Sequence, residues 1–102
     1  NPFKPSANES IKITIKPDKE NGEPTVVTTR LAIYDPLGNK VYENKIENAR
    51  DSVVFSWGGV NPNGRKVGAG VYLAVIKGEY KAAENDHFRK PINETKYIAV
   101  KK

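Results

Sequence analysis

The segment Ile11-Lys12-Ile13-Thr14-Ile15-Lys16 alternates apolar and polar residues without a break. Successive side chains of a strand point to opposite faces, so a period of two predicts a half-buried strand with Ile11, Ile13 and Ile15 turned inward. Val53, Phe55 and Trp57 repeat the pattern within 52–57. The apolar residues are themselves mostly branched at Cβ, with 10 Val and 8 Ile against 3 Leu. Branching there favours pleated strands over helices and argues against a helical bundle or a coiled coil.

Turn chemistry divides the rest of the chain. Pro17 ends the first strand, and the polar stretch 17–25 with Asn21-Gly22 reads as a loop. Val26 to Tyr34 is the next strand, with Val27, Thr29, Leu31 and Ile33 on one face. Asp35-Pro36-Leu37-Gly38-Asn39 is a turn, in which Pro presets φ and Gly supplies a positive φ. Lys40 to Ile46 returns as a hairpin strand, and 47–51 is a polar connection. Five Gly, one Pro and two Asn in 58–70 make a tightly turning loop. The apolar run from Val71 to Ile76 predicts a strand covered on both faces, or nearly so. Residues 81–92 form a polar excursion, and Glu94 to Lys101 is the last strand. The count is about seven short strands in one domain of 102 residues, which predicts an all-β, Ig-like antiparallel β-sandwich.

Catalytic chemistry finds little to stand on. His87 is the one His and lies in the polar excursion; no Ser sits in a nucleophile elbow, and there is no Cys. Neither a catalytic residue nor a bound cofactor is expected. Carboxylates cluster at Asp18, Glu20 and Glu23, and at Glu84 and Asp86, but without the spacing of a Ca²⁺ loop, so no metal is expected. The Gly-rich segment joins two strands rather than a strand to a helix, which argues against phosphate binding. The tripeptides Asn8-Glu9-Ser10 and Asn93-Glu94-Thr95 match a glycosylation acceptor by chance. Trp57 reads as a core aromatic, with a sugar-stacking platform as its alternative. The formal net charge is +5, and 13 of the 17 basic residues are Lys scattered along strand faces. Nucleic-acid binding wants them clustered, so it is not expected. No apolar run approaches the roughly 18 residues of a membrane span. The chain opens Asn1-Pro2-Phe3 without Met or a signal peptide, and reads as a piece cut from a longer protein.

Several motifs fall in a recognisable order: Asn1-Pro2-Phe3 at the start, Tyr34-Asp35 with Gly38, Trp57 with Gly59, Asn63-Gly64, Gly70 with Tyr72, and a basic end at Lys101-Lys102. The chain resembles the C-terminal sorting domains of the type IX secretion system and, related to them, the Ig-like domain of the flagellar hook-capping protein. Position 58 is Gly where an acidic or amide residue is usual, and the loops 17–25 and 81–92 are longer. The resemblance implies a non-catalytic domain forming the C-terminal part of a longer secreted protein, a monomer recognised by secretion-system proteins and a sortase-like peptidase. Its place would be secreted or on the outer-membrane surface, reached through the periplasm. Tyr97, Ile98, Val100, Lys101 and Lys102 are the candidate recognition residues. The alternatives are an Ig-like structural or protein-interaction module of the hook-cap or adhesin type, and a carbohydrate-binding module using Trp57.

Overall fold

The computed structural model describes residues 3–17, 25–82 and 89–101. They form six strands: β1 (Ile11–Ile15), β2 (Thr25–Tyr34), β3 (Lys40–Arg50), β4 (Val53–Trp57), β5 (Gly70–Ala82) and β6 (Lys90–Val100), with one 3₁₀ turn at Pro5–Ala7. Two antiparallel sheets face each other, one of two strands in the order β1-β4 and one of four in the order β3-β2-β5-β6. The fold is an Ig-like antiparallel β-sandwich. Among the described residues it has six strands rather than about seven, and four of them run 10–13 residues.

The alternation read in the sequence is the inner face of the small sheet. Ile11 pairs with Trp57, Ile13 with Phe55 and Ile15 with Val53, and all but half-buried Ile11 are at most 5% exposed. Opposite them lie Val27, Leu31 and Ile33 from β2, Tyr72, Ala74 and Ile76 from β5, and Ile92, Ile98 and Val100 from β6. Large apolar side chains buried this way each stabilise the fold by about 1.5–3 kcal/mol.

Trp57 sits at the centre. Its ring lies 5.7 Å from Tyr72, 5.8 Å from Phe3 and 6.4 Å from Tyr42, all tilted, the arrangement aromatic quadrupoles prefer. Its Nε1–H donates to the Val60 carbonyl at 3.0 Å, so the buried indole is satisfied. With 1% exposure, Trp57 has no face open to a sugar, which overturns the stacking-platform alternative. A Cβ on Gly59 would overlap the Pro5 ring, so glycine there lets the N-terminal segment close over this cluster.

Three strand boundaries differ from those the sequence suggests. β3 continues through the polar residues 47–50, because an edge strand needs no apolar face and Asn48 absorbs a bulge at φ +54. β5 runs on to Ala82, and β6 begins at Lys90, with Pro91 tolerated on the edge. The apolar run of β5 is also not covered twice. Tyr72, Ala74 and Ile76 face the core, whereas Val71 is 56% exposed and Leu73 and Val75 are only partly buried. Among the described residues, no second layer packs on that outer side.

Candidate interaction surface

The outer face of the four-stranded sheet gathers the exposed side chains whose chemistry stands out. Register places Tyr34 of β2 beside Leu73 of β5, and Leu73 beside Tyr97 of β6. This makes an apolar row across three strands, continued by Val71 and Ala99 on one side and by Ala32 and Val75 on the other. Tyr97 is 78% exposed. Cross-strand aromatic and branched pairs of this kind stabilise a sheet modestly while leaving much of their area in water.

A cationic row lies four residues along the same face. Lys45 of β3 pairs with Arg30 of β2, and Arg30 with Lys77 of β5. The two rows flank a shallow concavity of about 560 Å³ lined by Arg30, Tyr34, Lys40, Glu43, Val75 and Lys77, among others. Lys40 donates to Glu43 at 2.9 Å, and Lys45 pairs with Glu47 at 2.7 Å. The hydrogen bond and charge of Lys40, with Arg30 nearby, hold the Glu43 carboxyl below its usual range, and Glu43 in turn raises Lys40. Such exposed pairs contribute little to stability. The face can bind by contact and charge.

The motif residues that carried the resemblance take structural positions. Phe3 packs in the core, and its backbone clasps the last strand: its N–H donates to the Ala99 carbonyl at 2.8 Å, and Lys101 N–H donates to the Phe3 carbonyl at 2.7 Å. Tyr72 donates its hydroxyl proton to the Gly68 carbonyl at 2.8 Å. Burial, and secondarily the charge of Asp35, raise its pKa. Gly38 and Gly64 adopt φ of +90° and +80° in their turns. Gly70 opens β5, and Asn63 N–H donates to the Asn61 side chain.

Of the candidate recognition residues, Tyr97 lies in the exposed row. Ile98 and Val100 are 3% and 6% exposed and face the core, so a partner meeting the folded domain meets only their backbone. Lys101 is exposed beside Phe3. Asn1, Pro2 and Lys102 lie outside the described residues, as do Asp18, Glu20, Glu23, Glu84, Asp86 and His87. Among the described residues, no three His, Asp or Glu side chains come together as a metal site. The row through Leu73 was missed in the sequence, because register between strands is not written there. The available signal was the run 71–76 itself, half of whose side chains must point away from the core.

No family model matches the chain, and no curated protein matches it. Two solved structures are similar. FlgD from P. aeruginosa is 18% identical, with a TM-score of 0.47 over 85% of this chain and 70% of that one. FlgD from Xanthomonas campestris, a protein of the hook capping essential for flagellar assembly, is 17% identical, with a TM-score of 0.43 over 89% of this chain and 69% of that one.

Proposed function

We propose that this domain is a non-catalytic Ig-like structural or protein-interaction module, of the hook-cap or adhesin kind, that docks a partner on the outer face of its four-stranded sheet. The observation that carries this is the outward-facing Tyr34–Leu73–Tyr97 row, in which Tyr34 and Leu73 are partly buried and Tyr97 is 78% exposed. Apolar area grouped on one face costs solubility, and grouped patches of this kind mark interaction sites. The opposite sheet offers only isolated Val54 as a large exposed hydrophobic. A photoreactive amino acid placed at position 97 should cross-link a partner in the native cell envelope, and one at position 54 should not. Equal capture from both positions, or none from either, would sink the reading.

A second reading refines the first: a C-terminal sorting domain, recognised by type IX secretion proteins and released by a sortase-like peptidase at the cell surface. It is supported by the order of the family motifs and by the Phe3 clasp, which ties the opening motif to the terminal strand. Fusion of residues 1–102 to a periplasmic cargo should then export that cargo from a type IX strain, and Tyr97→Ala should reduce export with folding intact. Cargo retained in the periplasm would remove this refinement and leave the interaction reading standing.

A further inference from the structure

The two edges of the four-stranded sheet are not alike. β3 is interrupted by two register shifts, the devices that normally spoil an edge for pairing. β6 pairs with β5 over 11 residues without a shift. Phe3 shows which backbone groups of β6 face outward, since it bonds the Ala99 carbonyl and the Lys101 N–H. Strand alternation then turns the N–H and C=O groups of Asn93, Thr95 and Tyr97 to the same edge, beyond which no further strand pairs among the described residues. Between them, Glu94 and Lys96 are both exposed, although they point toward the side of the small sheet.

We propose that this edge pairs with a second copy of the same chain, β6 antiparallel to β6, with the twofold axis at Thr95. This goes beyond the interaction reading, because it uses the edge of the sheet rather than its outer face. Outward-facing residues must pair with outward-facing residues for the ladder to form, so only even shifts of register are open. With Thr95 opposite Thr95, Asn93 faces Tyr97 of the second copy. Glu94 faces the second copy's Lys96, and Lys96 faces its Glu94. These fall at the non-hydrogen-bonded positions, where side chains approach most closely. Ile92 comes opposite Ile98 on the same side. The two neighbouring registers place Glu94 against Glu94 or Lys96 against Lys96 on the axis, and like charges directly opposite are unfavourable. The charge order of one short strand therefore selects one register. Phe3 already fills the edge beside Val100, which confines the pairing to about residues 93–97. A contact that small belongs to the weak class, so self-association should emerge at chain concentrations of about 0.1–1 mM and weaken with salt. The monomer expected from the resemblance is then the dilute form.

The test is sedimentation equilibrium on the 102-residue chain and on two charge variants. Glu94→Lys and Lys96→Glu each put like charges across the axis and should each self-associate on the order of tenfold or more weakly than the parent chain. Both side chains are exposed, so folding should be unaffected, as near-identical thermal transitions would verify. Mixed together, the two variants restore opposite charges at both positions and should form a heterodimer. A parent chain that stays monomeric at 1 mM overturns the proposal, as does undiminished self-association of either variant. A monomeric parent chain that still cross-links another protein from position 97 would overturn self-pairing alone and leave the interaction reading intact.

Discussion

Residues 35–41 (Asp-Pro-Leu-Gly-Asn-Lys-Val) and 61–67 (Asn-Pro-Asn-Gly-Arg-Lys-Val) are two copies of one turn. In the first, Asp35 Oδ1 accepts from Leu37 N–H at 3.0 Å and Asn39 N–H at 2.8 Å. In the second, Asn61 Oδ1 accepts from Asn63 N–H and Arg65 N–H, both at 3.0 Å. The backbone closes alike: Gly38 N–H donates to Asp35 O and Gly64 N–H to Asn61 O, while Asp35 N–H donates to Asn39 O and Asn61 N–H to Arg65 O. Beyond the turns the chain behaves differently. The first turn feeds Lys40 into the 11-residue strand β3. The second feeds a single bridge, Val60 to Lys66, and no strand. Gly58 and Gly59 before it, and Gly68 and Gly70 after it, offer no side chains to pack along a ladder. The turn is therefore a local device, indifferent to context, and the flanks decide whether a hairpin grows from it.

The largest test of that distinction removes the second turn's anchor. Trp57 holds the loop through its bond to Val60 O, whereas the first turn continues directly into two long strands. Trp57→Ala should cost about 3–5 kcal/mol from core cavity formation alone. Hydrogen exchange in the surviving folded population should rise at Gly64 and Arg65 and stay low at Gly38 and Asn39. Equal loosening of both turns would show that the second is as self-sufficient as the first.

A smaller test asks whether the two glycines are equivalent. Gly38 and Gly64 sit at φ +90° and +80°, and a Cβ added to either would have no atom within 4 Å, so alanine meets only backbone strain. Each substitution should cost about 1–2 kcal/mol, and the two costs should agree within about 0.5 kcal/mol. Chemical denaturation measures both. A gap of more than about 1 kcal/mol would mean that the strands beyond the first turn share in its strain.

The sequence disclosed these elements unevenly, for physical reasons. Local rules marked the turn at 35–39, the inward set Ile13, Ile15, Val53, Phe55 and Trp57, and the face of Val27, Thr29, Leu31 and Ile33, because each depends on residues a few positions apart. The repeat itself emerges only when the chain is aligned with itself on Pro-x-Gly-x-Lys-Val. The end of β3 at Arg50 was hidden because an edge strand with an Asn48 bulge looks like a polar connection. The candidate surface was hidden more deeply. Tyr34, Leu73 and Tyr97 are neighbours only through the pairing of β2, β5 and β6. Thr29 marks the same gap: its side chain lies on the core face as expected, yet its buried hydroxyl has no partner among the described residues, which no local pattern foretells.

The finest test exchanges the one chemical difference between the turns. The backbone N–H of Asn39, with further hydrogen bonds from the Asn39 side chain and from Leu37 and Gly38, holds the Asp35 carboxyl below its usual range. A carboxyl whose pKa is depressed in the folded state stabilises that state above the unfolded pKa, near 4, and the benefit drains away as pH falls through the folded value. Asn61 carries no such proton. Asp35→Asn should therefore lower the thermal midpoint at pH 7, and the difference from the parent chain should close as pH falls below about 5 and through the depressed folded value. Asn61→Asp should transplant the behaviour, adding an acid-sensitive increment at the second turn, because the same two N–H groups await the carboxylate. The two increments should be similar in size if the turns are one device. A second turn that gains no pH dependence from Asn61→Asp would show that its amides are less available than their geometry implies, and would confine the likeness of the two turns to shape.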